Sequence, residues 1–175
     1  MIGPDRRGAT ERATTSGDGE PDAAAGGDRR TLLKRLAASP GLIASVARQA
    51  ATAESPGGAR PGEWTVREVV AHLAAVETVV HQARLDQLAA GGTPEWAWTE
   101  PGPSDDPLVT TLEGALDLFA ARRSGTVARV AALDETGWAR YGIHATFGRL
   151  DVAGLLAVLL DHDDEHRAGL EARLG

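Results

Sequence analysis

The chain has 175 residues and a formal net charge of −7, from 25 acidic and 18 basic side chains, which is enough polypeptide for one domain with a sizeable core. With 42% hydrophobic but only 4% aromatic residues, and 32 alanines, that core is aliphatic, which favours closely packed helices over sheets. The absence of cysteine excludes disulfides, thiolate metal sites and cysteine nucleophiles, and leaves His, Asp and Glu to ligate any metal. All the basic residues but Lys34 are arginine, a bias that reads as coding composition. They are scattered rather than gathered on one face, so no nucleic-acid partner is expected. The longest apolar run, Val152 to Leu160, is nine residues, against the ~20 that cross a bilayer. No apolar segment follows Arg6 and Arg7, so neither a membrane partner nor a secretory signal is expected, and a cytoplasmic location follows.

Residues 1–30 lack apolar periodicity and read as a disordered tail ahead of a helical domain over 31–175. Ser39-Pro40 resembles an N-cap and first helical position, predicting a helix from about 40 to 54 with Leu42, Ile43, Val46 and Ala50 inward. The breaker-rich 55–63 ends it. Trp64 then precedes Thr65-Val66-Arg67-Glu68, a capping box that opens a second helix running to about Ala90. A long linker, 91–107, is followed by Thr110-Thr111-Leu112-Glu113, which repeats the capping spacing. From there Leu112, Leu116, Phe119, Val127, Val130 and Leu133 trace a third stripe. A loop holding Trp138, His144 and Gly148 leads to Asp151, which can cap a last helix. The expected fold is all-α, a four-helix bundle.

The histidines fall on these stripes. On the last helix Val152, Leu155 and Leu159 continue by helical steps to His162 and His166, and on the second helix the stripe through Val69, Val76, Val79 and Ala83 passes through His72. Three imidazoles facing an aliphatic core need partners. A shared cation supplies them, since positions i and i+4 both reach one ion. The alternative is that each ring bonds separately to an acid among Asp161, Asp163, Asp164 and Glu165. His81, on the opposite side of an ideal helix from His72, reads as a surface residue, and His144 could line a cavity mouth. His162-Asp-Asp-Glu165-His166 also spells an inverted zincin motif, but only nine residues follow it, too few for the further ligand such a site needs. No di-iron signature is complete, so one metal is expected.

Taken together, Pro40, the segment GEWTVREVVAHL (62–73), LDLFAARRSGTVARVAAL (116–133), Trp138, His144, Gly148 and LLDHDDEHRAGL (159–170) resemble the DinB/YfiT-like family of four-helix proteins over about residues 31–175. The resemblance implies that His72, His162 and His166 bind a divalent metal, Zn first, with Ni or Fe as alternatives. It also implies relatives that are thiol S-transferases using bacillithiol or mycothiol, or a mycothiol-dependent maleylpyruvate isomerase. HRAGL after the last histidine departs from the Gln-containing segment of many members.

Three neutral imidazoles leave a position open on a tetrahedral ion. A thiol there would favour S-transfer and a water there hydrolysis. With no inward acid evident beside the histidines, the reading leans to thiol transfer, with hydrolysis or a non-catalytic metal-stabilised bundle as alternatives. The expected partner is a small-molecule substrate, and a homodimer is compatible with the pattern. Arg122 and Arg123 read as solvated or as anion-binding, Trp96 and Trp98 as docking the linker or lidding the site, and metal affinity is expected to fall through the histidine range near pH 6.5.

Overall fold

Start signals legible in the sequence open three of the helices. The computed structural model describes residues 23–54 and 62–175, so the expected tail over 1–22 and most of the expected loop at 55–63 lie outside the described residues. Thr65 caps α2 (Val66–Val76) in a complete capping box: its hydroxyl accepts from the Glu68 amide at 3.2 Å, and the Glu68 carboxylate accepts from the Thr65 amide at 2.8 Å. α4 (Leu112–Ala131) is capped by Thr111, whose hydroxyl accepts from Gly114 N–H at 3.0 Å, one residue later than the Thr110 spacing suggested. Asp151 caps α6 (Val152–Glu171) through Gly154 N–H at 2.8 Å, as expected.

The first helix departs from expectation. α1 runs from Ala23 to Ala53, so residues 23–30 of the expected tail are helical and Ser39-Pro40 lies inside the helix rather than at its start. Proline fits helical φ but leaves the Leu36 carbonyl without its usual donor. Packing of α1 on α4 and α6 offsets that loss. Ser39 caps nothing; it is buried, and its hydroxyl donates to Asp163 at 2.5 Å.

The second rod is continuous from α2 through a π-helical segment, Glu77–Gln82, into α3 (Ala83–Ala90). Each π residue advances less than the ~100° of an α-helix, so the face rotates along the segment. Val79, expected inward, is 55% exposed, and His81, expected outward, is 5% exposed. With α1, α4 and α6 this rod makes the expected four-helix bundle.

Between α4 and α6 lie the short α5 (Glu135–Ala139) and a hairpin of β2 (Tyr141–His144) and β3 (Gly148–Asp151), on which β1 (Glu95–Trp96) adds in parallel. The strands replace what reads as loop, because two to four residues are too few to show an alternation. They clamp the linker: Ile143 N–H donates to Pro94 O at 2.9 Å and Ala145 N–H to Trp96 O at 2.8 Å. Gly142 is required there, since a Cβ would fall 2.6 Å from the Trp96 ring. Trp96 is buried and donates to Gln87, docking the linker as one of the two expectations had it.

The core has two apolar halves. One gathers Ile43, Val70, Leu73, Phe119 and Leu170, the other Leu36, Leu88, Val130, Leu155 and Leu159. Each large aliphatic side chain contributes ~1.5–3 kcal/mol on burial. Along α1, the second rod, α4 and α6 alike, a buried polar residue stands between them: Ser39, Glu77, Arg123 and Asp163. Arg123 grips Asp163 with both terminal nitrogens, at 2.7 and 3.1 Å, and donates from Nε to Glu77, which also accepts from the Thr126 hydroxyl. Burial pushes the Glu77 carboxyl upward against the pull of Arg123. Arg123 itself stays charged, since Glu77 and Asp163 outweigh its burial. Neither arginine of the pair is a solvated surface residue, for Arg122 ties the Ala74 carbonyl at 2.8 Å to Asp106 at 3.3 Å.

Candidate metal centre

α2 delivers His72 fully buried, and α6 delivers His162 and His166 half-buried. Their Nε2 atoms converge: His162 Nε2 lies 3.2 Å from that of His72 and 3.1 Å from that of His166. A tetrahedral ion with metal–nitrogen bonds of 2.0–2.1 Å sets its ligand nitrogens about 3.3 Å apart, so the cluster has the span of a coordination shell. The tautomer of His72 is fixed, because the Pro101 carbonyl accepts from Nδ1 at 2.7 Å and leaves Nε2 with its lone pair inward. One proton on His162 Nε2 cannot serve both of its contacts, whereas a cation satisfies all three lone pairs.

Electrostatics keep the rings neutral. Burial, then the neighbouring His72, lowers His162 to about 4. Burial, then His162 and His72, lowers His166 to about 4. Burial also lowers His72, against the pull of the Pro101 carbonyl and Glu100. The Trp64 ring, 4.8 Å from that of His72, walls one side.

A fourth group joins them that sequence reasoning missed. Glu100, in the linker, brings a carboxylate oxygen to 4.0 Å from His72 Nε2, and one ligand atom from each of the four residues lies within 4.8 Å of the others. The linker has no periodicity to say which of its acids faces the bundle. The local signal is Pro101 after it, whose carbonyl holds His72 and seats Glu100 alongside. The acids expected to hold the rings individually are engaged elsewhere or solvated: Asp163 with Arg123, Asp164 with Arg35 at 3.4 Å, and Asp161 and Glu165 exposed.

His81 and His144 fall outside the cluster. Both are buried beside it, in a small pocket they line with Arg84, Trp98, Phe147 and His162. Burial drives His81 well below the usual histidine range, and burial followed by Arg84 lowers His144. His144 takes its place from β2, as a pocket wall rather than a loop residue.

No helix among the described residues is long and apolar enough to cross a membrane. No curated protein matches the chain. Among solved structures the chain is similar to YfiT from Bacillus subtilis, described as a probable metal-dependent hydrolase with an unusual four-helix bundle topology. The match has 20% identity and a TM-score of 0.67, over 90% of this chain and 93% of that one. The family model of the DinB superfamily matches residues 29–169, so the bundle and its converging histidines are those of a chain that belongs to the DinB superfamily.

Proposed function

We propose that this chain is a metal-dependent hydrolase in which His72, His162 and His166 hold one divalent cation and Glu100 is the general base. The observation that carries the reading is the carboxylate of Glu100 at 4.0 Å from His72 Nε2, which supplies the acid that tipped the sequence reading toward thiol transfer by its apparent absence. The description of YfiT as a probable metal-dependent hydrolase supports the same chemistry. A bound divalent cation supplies Lewis acidity and acidifies whatever protic ligand takes its remaining position. The chain's residues do the rest. The Pro101 carbonyl orients His72, burial keeps the imidazoles unprotonated at neutral pH, and Glu100, in an exposed loop position, takes a proton and can release it to solvent.

Elemental analysis of the purified protein is expected to find one divalent ion per chain, zinc first, with nickel or iron as alternatives. An ester and amide hydrolysis screen is expected to show turnover that chelator removes and added thiol does not increase. Glu100→Gln should lower kcat by ~10²–10⁴ while leaving metal content unchanged. A second reading, transfer of a mycothiol- or bacillithiol-type thiol, is favoured by the open aromatic rim of Trp98 and Phe147, 56% and 44% exposed, which leaves room for a second substrate. Turnover that appears only when thiol is supplied would select it.

A further inference from the structure

We infer that the pocket beside the histidine cluster is a carboxylate site, in which Arg84 and His144 grip an anionic group of the substrate. This names the substrate class of the hydrolase reading and rests on that reading only for what then happens to the substrate.

Arg84 is 7% exposed, and among the described residues no carboxylate pairs with it. It stacks over Trp96 at 5.4 Å and donates from Nη2 to the Ala97 carbonyl at 3.0 Å. A guanidinium so enclosed ordinarily carries a counter-ion. Glu100 lines the same pocket but is aimed at His72 instead.

His144 sharpens the deficit. Its Nδ1 accepts from the backbone N–H of Thr146 at 3.0 Å and of Phe147 at 3.4 Å, so the proton of the neutral ring sits on Nε2. That Nε2 lies 3.3 Å from Arg84 Nη2, which is also a donor. Two N–H groups therefore face one another with no lone pair between them. Adding a second proton to His144 would not help, because Nε2 would still donate and the ring would sit charged beside Arg84. A third polar atom, His81 Nδ1, is buried on the pocket wall with no partner.

Two N–H groups that face one another with no acceptor between them, one of them on a buried cation, call for an anion. A carboxylate offers two oxygens in the plane an arginine fork matches. The pocket is small, with about 40 Å³ open to the centre of a water molecule, which is room for a carboxylate and a few atoms beside it, so the body of a larger substrate lies at the mouth. There Trp98 and Phe147 present apolar ring faces with centroids 6.0 Å apart. The ligand class is thus a monocarboxylate with a flat apolar body.

Benzoate and its neutral isostere benzamide test this. The full chain, as purified and again after chelation, is titrated with each while the histidine ring resonances are followed by NMR. Benzoate should bind saturably in both states, shifting His144 and His81, and at least about tenfold more tightly than benzamide. Arg84→Gln should erase that preference. Equal affinity for the two probes, no saturable binding, or a preference that survives Arg84→Gln would overturn the site. So would benzoate binding that needs the metal. Should Arg84→Gln not fold, the benzoate-to-benzamide ratio in the unaltered chain decides alone. Metal stoichiometry is measured separately, so loss of the hydrolase reading and loss of the carboxylate site give different results.

Discussion

Two polar regions lie side by side inside this bundle, and they differ in whether their hydrogen bonds close. In the layer between the apolar halves, Arg123, Glu77, Asp163, Thr126 and Ser39 satisfy one another entirely from within the chain. In the histidine cluster and its adjoining pocket they do not. Three Nε2 atoms converge, Arg84 meets a second donor, and His81 Nδ1 has no partner. Buried polar groups that complete one another specify structure, whereas those left incomplete mark where something from outside belongs.

The sharpest way to break this contrast is to open the closed region. Arg123→Ala would strand Glu77 and Asp163 as buried acids and should cost ~3–5 kcal/mol, read from the urea midpoint at constant slope. A loss under ~1 kcal/mol would mean that the layer is not held by its own charges. The open region should respond in the opposite manner. His162→Ala or His166→Ala should reduce bound metal from one ion per chain to none by elemental analysis, yet leave the helical circular-dichroism spectrum intact. His81→Ala, at a buried histidine outside the cluster, should keep the ion.

Acid separates the two regions further. His162 and His166 titrate near 4 when folded, against about 6.5 in an unfolded chain. Between those values the unfolded state takes up protons that the folded state refuses, so stability of the metal-free protein should fall as pH drops from 6.5 toward 4 and lose nothing more from these two groups below that. Metal affinity should follow the folded values. As far as His162 and His166 set it, affinity should hold level to about pH 5 and decline toward 4, lower than the range near 6.5 that unperturbed histidines would give. The smallest effect belongs to neither region: Thr65→Ala removes the α2 cap and should cost ~1 kcal/mol, checked by the same urea titration.

What was legible in the sequence follows from how local each cause is. Caps at Thr65 and Asp151 act within three residues, and the stripe that turned His72, His162 and His166 inward needs only helical spacing, so the bundle and three of the four clustered residues could be read directly. Ser39-Pro40 misled because the same dipeptide that starts a helix can sit inside one when the hydroxyl finds a distant acid, here Asp163. Arg123 looked like a surface residue because its partners are contributed by three other helices. Glu100 and β1 depend on how an aperiodic linker docks, which no local rule encodes, and β2 and β3 are too short to show an alternation.

The π-helical segment at Glu77–Gln82 has a consequence for how this chain can change. Its wider turns take up one extra residue, so deleting one there would let the rod relax to ordinary helical winding with α2 and α3 still in register. Arg84 on α3 and the ligands His72, His162 and His166 would keep their places, while the turn that carries His81 inward would be rebuilt. A lone codon loss could thus reshape the pocket wall at His81 without touching a bound cation, making this short stretch a natural point of divergence between relatives that share a metal but not a substrate.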